Sequence, residues 1–227
     1  AATRLPGKPL LKINNLSIIS HVFKRAEEAK IGEVVVATED QKILEDVIKN
    51  GGRGILTSSN HKTGTDRIFE AYKKLEIKDV DYVLNLQGDE PNIDKNDIIS
   101  LNNFMINNNS EIGTLAATIQ DDKIANNKNV VKVITEKKLE KNNFPTALNF
   151  TRDNLSKNNS NIYHHIGIYS YKTSILEKFV SLAQTTNEIE NKLEQLRALD
   201  NKLKINVALA KSSPIGVDTE EDYLAIK

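Results

Sequence analysis

The chain has 227 residues, of which 39% are hydrophobic and 27% are charged, so it can bury a sizeable core. Lysine plus arginine equals aspartate plus glutamate at 31 each, which argues against a general nucleic-acid binder, because such proteins usually carry a basic excess. The chain contains no cysteine, which excludes disulfides, a thiolate nucleophile and cysteine-based zinc sites. It shows neither an apolar run of roughly 18 residues nor a charged-then-apolar leader, so we expect a cytoplasmic protein without membrane partners.

The first predicted element is a turn in TRLPGKP, where Arg4 and Lys8 stand on either side of Pro6 and Gly7. Proline fixes its own φ and glycine adopts backbone conformations that other residues avoid, so the loop is sharply shaped. Its backbone can approach a bound group closely, and its two cations suit an anion. The alternative is an ordinary turn whose cations are solvated.

Helices and short buried strands then alternate through the first half of the chain. The predicted helices are LSIISHVFKRAEEA, DQKILEDVIKN, TDRIFEAYKKL and KNDIISLNNFMINN, and the predicted strands are EVVVAT, GILTS, DYVLNLQG and GTLAATI. This pattern predicts an α/β fold with a doubly wound, mostly parallel sheet flanked by helices. Such sheets bind ligands in the crevice beyond the carboxyl ends of their strands.

After position 120 the pattern becomes β-rich, because VVKVIT, TALNFTR and IYHHIGIYSY read as strands with little room for helices between them, and we expect these strands to pair antiparallel. Two helices, SILEKFVSLA and IENKLEQLRALDN, and a strand, KINVALA, follow. TEEDYLAIK then begins with a Thr-x-x-Asp pattern that resembles a capping box. We therefore predict a single domain over residues 1–227 with a β-rich insertion at about 120–172.

The most informative strand end is VLNLQGDEP, in which an apolar strand runs directly into Asp89 and Glu90. Carboxylates at that edge of a parallel sheet suit Mg²⁺, which is usually bound by one or two carboxylates together with substrate phosphates. The alternative is that these residues only cap the next helix.

A further aspartate, Asp218, stands in GVDTEED after the last predicted strand and just before a helix, where capping is again the alternative. Arg67 lies in the first turn of the helix in GTDRIF. A cation-bearing glycine loop, two strand-end acidic positions and this arginine together suit a nucleoside triphosphate with magnesium.

With these motifs in order, the chain resembles the 3-deoxy-manno-octulosonate cytidylyltransferases, the CMP-Kdo synthetase family of bacterial lipopolysaccharide synthesis. The resemblance runs nearly end to end. It rests on TRLPGKPL, VATED, HKTGTDR, LNLQGDEP, NVVKVI, LNFTR, HHIGIYSY, LEQLR and GVDTEED. It implies a Rossmann-like nucleotidyltransferase fold, a homodimer, and the use of CTP, Mg²⁺ and Kdo to form CMP-Kdo and pyrophosphate.

The resemblance also implies roles for the nucleotide-binding residues. Arg4, Gly7 and Lys8 match the loop that grips the triphosphate, and preorganised cations there would stabilise the charge that develops on pyrophosphate. Arg67 and Gln87 match positions near the bound nucleotide.

Asp89 and Asp218 match the metal-binding aspartates of the family. With Lys8 they form the expected catalytic set. Together they would hold Mg²⁺ where it orients in-line displacement by the sugar hydroxyl at the α-phosphate.

The sugar-binding residues are expected in the later half of the chain. His165, rather than His164, matches the residue that contacts Kdo, and Tyr169 follows four residues later, on the same face of a strand. Arg152 matches an arginine suited to the sugar carboxylate. The remaining candidates, for hydroxyl recognition or for support, are Glu194, Gln195 and Arg197.

The chain departs from the family pattern at two places. It starts inside the TRLPGKP loop, so we expect a first strand upstream of Ala1, and DNLSKNNSN stands where the family shows an Ile-Pro segment after FTR. Two other functions stay open: a cytidylyltransferase for another 2-keto sugar acid, such as 8-amino Kdo or a sialic acid, and a non-catalytic relative that binds nucleotide or sugar.

Overall fold

The structure is a computed structural model that describes residues 5–119, 121–153, 161–211 and 216–227, with residues 122 and 123 described by their backbone only. The described residues divide into two compact units, one of residues 5–78, 86–99 and 216–227 and one of residues 79–85 and 100–211. Within the described part of the chain, none of the helices has the length and apolar character needed to span a bilayer.

Strands and helices are numbered in chain order. The strands are β1 Lys12–Ile13, β2 Leu16–Ser17, β3 Val36–Thr38, β4 Gly54–Leu56, β5 Tyr82–Leu86, β6 Ile112–Ala117, β7 Lys132–Thr135, β8 Ala147–Thr151, β9 Ile162–Lys172 and β10 Ile205–Leu209. The helices are α1 Ile18–Ala29, α2 Gln41–Lys49, α3 Gly64–Leu75, α4 Lys95–Asn108, α5 Asp122–Asn126, α6 Thr173–Ser181, α7 Thr186–Asn191, α8 Gln195–Asp200 and α9 Glu220–Ile226.

The first unit begins with a short 3-10 helix, Lys8–Leu10, and the β1–β2 hairpin. α1 follows, with the Ser17 side chain accepting the first-turn amide of Ser20. Strands β3 and β4 pair in parallel and are joined by α2, as the alternation in the sequence predicts. A small core of Ile13, Ile18 and Val217 closes the unit, and Val217 lies directly beside Asp218 in the chain.

The second unit is built on a six-stranded sheet with the order β10-β6-β9-β7-β8, in which β5 also pairs with β9. β10 and β6 are parallel, whereas β9 runs antiparallel to both β6 and β7, and β8 runs antiparallel to β7. A bridge between Thr146 and Asn206 ties the start of β8 to β10, so the sheet curls towards closure.

The α/β class is confirmed, and the antiparallel pairing expected for the β-rich part is present, although it makes the six-stranded sheet more antiparallel than a mostly parallel sheet would be. The reason is that β7, β8 and β9 follow one another without room for helical crossovers, and parallel neighbours need such a crossover. Strand β9 then lies in the middle of the sheet rather than at its edge.

The predicted helix over IENKLEQLRALDN is wrong in one respect, because the structure contains two short helices there, α7 and α8. Lys192 adopts a left-handed conformation with φ 53° and ends α7. The predicted capping box at α9 is present between Thr219 and Asp222. The hairpin β1–β2 and the short α5 were not predicted from the sequence.

Candidate active site

Lys8, Asp89 and Asp218 form a cluster in the first unit. The Lys8 ammonium contacts Asp89 Oδ2 at 2.7 Å and Asp218 Oδ1 at 3.2 Å. Lys8 is only 8% exposed, whereas both carboxylates are partly open to solvent. Three residues from the start, the middle and the end of the chain therefore meet at one nitrogen atom.

Local backbone structure explains how these residues meet. Gly7 has φ 69°, in the left-handed region that favours glycine, and the turn it makes places Lys8 at the start of the 3-10 helix. The amide of Val217 donates to the carbonyl of Asp89 at 2.9 Å. This backbone bond lays the segment that carries Asp218 beside the strand end that carries Asp89.

The capping box of α9 then orients Asp218. The Asp222 carboxylate accepts hydrogen bonds from the amides of Asp218 and Thr219, at 3.0 and 2.8 Å, and the hydroxyl of Thr219, the N-cap residue, accepts from the Asp222 amide at 3.2 Å, so Thr219 and Asp222 together perform the capping. Asp218 therefore does not cap α9, which was its alternative interpretation. Its side chain is directed to Lys8 instead.

Two carboxylates around one ammonium form a donor set with an excess of negative charge. Among the described residues no group of three or more histidine, aspartate or glutamate side chains could hold a metal ion by itself. A pair of carboxylates is nevertheless what Mg²⁺ commonly takes from a protein when a phosphate supplies further ligands. The cluster is therefore suited to a cation that arrives with a polyphosphate.

Arg67 lies in the first unit on α3, as predicted, and holds the loop that precedes this helix. Its guanidinium forms an ion pair with Glu39 at 2.6 Å and donates to Thr57 Oγ1 at 2.7 Å. Gln87 follows β5 and is exposed. Both remain predictions as nucleotide contacts, and Arg4 lies outside the described residues.

A second cluster of predicted residues lies in the second unit, where the structure brings His165 and Tyr169 together. Their ring centroids are 5.3 Å apart, and the ring of Phe150 meets His165 edge-on at 5.2 Å. The register of β9 against β6 shifts between Thr114 and Leu115, so a β-bulge lies between His165 and Tyr169 in β9. Both side chains are buried, at 8% exposure each.

The protonation state of His165 follows from its partners. Burial, with smaller effects of His164 and Arg152, lowers the pKa of His165 to about 3, so its ring is neutral near pH 7. Thr114 Oγ1 lies 3.0 Å from His165 Nε2 and donates its own proton to the carbonyl of Ile168 at 2.7 Å. Because a hydroxyl has one proton, Thr114 must accept from Nε2–H, which leaves Nδ1 as an acceptor.

The hydroxyl of Tyr169 is the second polar group of this cluster, after the acceptor nitrogen Nδ1 of His165. This hydroxyl is buried and has no hydrogen-bond partner within the described part of the chain. Burial raises the pKa of Tyr169 well above its ordinary value, and Tyr171 and Glu194 add to the effect, so the hydroxyl keeps its proton. Since a buried hydroxyl without a partner is costly, this atom is a natural contact for a polar ligand.

Three other predicted sugar-binding residues lie in the second unit: Arg152, Glu194 and Gln195. Arg152 ends the β8 segment, where its Nη1 donates to the carbonyl of Asn129 at 2.6 Å. Glu194 is the N-cap residue of α8 and Gln195 is its first residue, and both are partly exposed. The sugar-binding roles of these three residues remain predictions.

The charged group of Arg197 is enclosed by protein, and a sugar contact through it stays a prediction. Arg197 is 2% exposed, and its Nε and Nη2 atoms donate to both carboxylate oxygens of Glu188 at 2.8 and 2.6 Å. Its guanidinium also lies over the ring of Phe179, 4.8 Å from the centroid. Arg197 therefore supports α8, which was the other role considered for it.

Sequence reasoning missed three residues that shape these clusters: Thr114, Lys132 and Glu188. Glu188 was detectable, because Thr185 and Glu188 form a capping box with the S/T-x-x-E signature. Lys132 was also visible as one charged residue within the apolar run VVKVIT. The sequence contains no signal for Thr114, whose role depends on strand pairing.

Comparisons with known proteins first define the class. A family model described as Cytidylyltransferase matches residues 1–205. A solved structure of apo UDP-glucose pyrophosphorylase superposes with a TM-score of 0.71 at 13% identity, covering 99% of this chain and 92% of that chain. That likeness concerns the fold alone. With the lysine–carboxylate cluster, the matched family model places the chain among the cytidylyltransferases.

Closer relatives then identify the family. The 3-deoxy-manno-octulosonate cytidylyltransferase of Thermodesulfovibrio yellowstonii is 45% identical over 97% of this chain and 91% of its own length. A solved structure of CMP:2-keto-3-deoxy-manno-octonic acid synthetase complexed with CTP superposes with a TM-score of 0.89 at 33% identity, covering 100% of this chain and 92% of that chain. The chain belongs to the 3-deoxy-manno-octulosonate cytidylyltransferase family.

Proposed function

We propose that the protein transfers a cytidylyl group from CTP to Kdo, giving CMP-Kdo for lipopolysaccharide synthesis and releasing pyrophosphate. The observation that carries this proposal is the convergence of Lys8, Asp89 and Asp218 in a chain of this family. The anomeric oxygen of the sugar attacks the α-phosphorus in line. The bond from that phosphorus to the bridging oxygen breaks, the electron pair leaves with pyrophosphate, and the hydroxyl proton passes to solvent water.

Asp89 and Asp218 are the residues that would hold Mg²⁺. They fit the ion because their oxygens already surround one cationic group, Lys8 Nζ, and Mg²⁺ prefers such oxygen ligands. When bound, Mg²⁺ supplies Lewis-acid polarisation of a phosphoryl oxygen and lowers the pKa of a coordinated hydroxyl.

Lys8 supplies positive charge from the glycine turn. Its ammonium is almost enclosed, so its interactions with phosphate oxygens are screened less than those of a surface lysine. A cation fixed in advance stabilises the charge that accumulates on pyrophosphate in the transition state. Arg4 and Arg67 are the other cations that we assign to the nucleotide, and Gly7 and Gln87 are the remaining residues that we assign to it.

In the second unit, the proposed sugar-acid contacts divide by chemistry. Arg152 suits the carboxylate, because a guanidinium can donate two parallel hydrogen bonds to it. His165 Nδ1 is an acceptor and the Tyr169 hydroxyl is a protonated group, so they suit a neutral hydroxyl of the sugar. Glu194 and Gln195 are assigned to further hydroxyls.

Pyrophosphate release from CTP and Mg²⁺ tests the proposed function directly, with Kdo, 8-amino Kdo and a sialic acid as alternative acceptors. We expect Kdo to give the highest kcat/KM. A higher value with another acid would move the assignment to that substrate. No release with any acid would favour a relative that binds without catalysis.

The adjacent histidines provide a matched pair for the sugar assignment. We expect His165→Ala to lower kcat/KM for Kdo by roughly ten- to a hundredfold, the effect of one or two lost hydrogen bonds, with little change in the KM of CTP. His164→Ala is the control and should change neither. Steady-state kinetics with each substrate varied in turn checks this, and a larger Kdo effect from His164→Ala would contradict the assignment.

The protein is proposed to be a homodimer, as the family resemblance implies. The exposed Leu148 side chain on β8, with 60% of its surface accessible, is an apolar position that a second copy would cover. Light scattering at micromolar concentration should give twice the mass of the chain. A monomeric mass would reject this part of the proposal. The cytoplasmic location also stays a prediction.

A further inference from the structure

Lys132 is among the largest side chains that the fold buries completely, with 1% of its surface exposed. It is the first residue of β7 and pairs with Thr151 of β8 and His164 of β9. Lysine is almost never fully buried unless its charge is compensated. None of the roles proposed above uses this ammonium, so its position in the sheet needs another explanation.

The Nζ atom of Lys132 connects two segments of backbone. It donates to the carbonyl of Asn127 at 2.8 Å and to the carbonyl of Arg152 at 3.2 Å. The Arg152 guanidinium donates in the opposite direction, to the carbonyl of Asn129 at 2.6 Å. The two cations thus tie the turn at 127–129 to the end of the β8 segment, and Lys132 holds the backbone at Arg152.

The electrostatic surroundings of Lys132 include a second cation, Arg152, and the carboxylate of Asp153. Burial lowers the pKa of Lys132, Arg152 lowers it further, and Asp153 acts against them. Burial lowers the pKa of His164 too, and Lys132 adds to that effect. Two carbonyl partners offset a buried ammonium only in part, because a carbonyl carries no full charge. An arriving anion would complete the compensation.

We propose that Lys132 is a positioning residue for the carboxylate of the sugar acid. It fixes the backbone of Arg152 and adds positive potential where the Arg152 guanidinium binds the carboxylate. Because its ammonium is enclosed, Lys132 acts through Arg152 and does not contact the ligand. This inference rests on the proposed function, since it takes Arg152 as the carboxylate ligand.

The test replaces the ammonium by an apolar group of similar length. Lys132→Met should raise the KM for the sugar acid by about tenfold or more, the effect of one lost charge at close range, while the KM for CTP stays within about twofold. Lys138→Met makes the same chemical change at an exposed position of the same unit and should alter neither. Lys132→Arg, which retains the charge, should recover part of the loss.

A purely structural role is distinguished by comparing the sugar acid with its uncharged amide as competitive inhibitors. The wild-type protein should bind the acid more tightly, and Lys132→Met should lose about tenfold of that preference. An unchanged preference would overturn the inference. If Lys132→Met does not fold, Lys132→Gln takes its place in both measurements. If neither folds, the ammonium serves the fold alone and the inference is rejected.

Failure of the inference is separable from failure of the proposed function. If the function is wrong, the wild-type protein releases no pyrophosphate from CTP with any acid. If only the inference is wrong, the wild-type protein is active and Lys132→Met retains the same KM for the acid. In a double-mutant cycle, Lys132→Met and Arg152→Ala should be strongly non-additive, because one residue acts through the other.

Discussion

We expect Asp89→Asn to reduce turnover by at least about a hundredfold while the protein remains folded. The carboxylate charge is lost from the cluster around Lys8, and with it a proposed Mg²⁺ ligand. The fold should persist because a backbone hydrogen bond, from Val217 N–H to the Asp89 carbonyl, joins the segment that carries Asp218 to the one that carries Asp89, and the mutation does not remove it. Pyrophosphate release and thermal unfolding measure the two effects separately.

Glu220→Gln is the matched control for this change, because Glu220 is an exposed carboxylate at the start of α9, close in sequence to Asp218. It should retain full activity. Asp218→Asn should behave like Asp89→Asn. Turnover of Asp89→Asn within tenfold of wild type, in a folded protein, would refute the role of this carboxylate as a metal ligand.

The largest effect on stability is expected at the buried ion pair. Glu188→Ala should lower the free energy of unfolding by about 3–5 kcal/mol, because it leaves the Arg197 guanidinium buried without its counter-charge. It also removes one half of the Thr185 capping box. Urea unfolding measures the loss, and Glu190→Ala, an exposed glutamate of the same helix, should change stability little.

The pair also predicts a double-mutant result and a pH dependence. Replacing both Glu188 and Arg197 by methionine should recover much of the loss, because no uncompensated charge remains.

Burial alone would raise the pKa of Glu188, but hydrogen bonds from Arg197 and Gln184 outweigh it and lower that pKa. The stability from this pair is therefore present above the ordinary glutamate pKa and is lost as the pH falls below it. A single mutant as stable as wild type would contradict the role of the pair.

Much of the chain could be predicted because its signals are local. The apolar periodicity of IISHVFKRAEEA and of GTDRIFEAYKKL identifies α1 and α3, and the Thr219 capping signature marks the start of α9. The turn at Gly7 follows from the residue type, since the structure uses the positive φ that glycine tolerates. The nine motifs that carry the family resemblance are likewise properties of sequence order.

The contacts between residues that are far apart in the sequence could not be predicted in the same way. By residue type Asp218 also fits a capping role, but the structure shows that Thr219 and Asp222 cap α9 and that Asp218 contacts Lys8. Arg197 in LEQLR fits either hydroxyl recognition or support, and the structure places its partner for support, Glu188, on the preceding short helix. In both cases the residue type fits two roles, and only the position of a distant partner separates them.

The sequence by itself therefore determined the α/β class, most helices and strands, and the family. Tertiary structure decided that β9 lies within the sheet, that Thr114 sets the tautomer of His165, and that Lys132 is buried against Arg152. The physical reason is the separation along the chain over which each kind of interaction acts. Helical periodicity, capping and turn chemistry act over a few neighbouring residues, whereas burial, charge pairing and hydrogen-bond direction depend on residues that the chain brings together only when it folds.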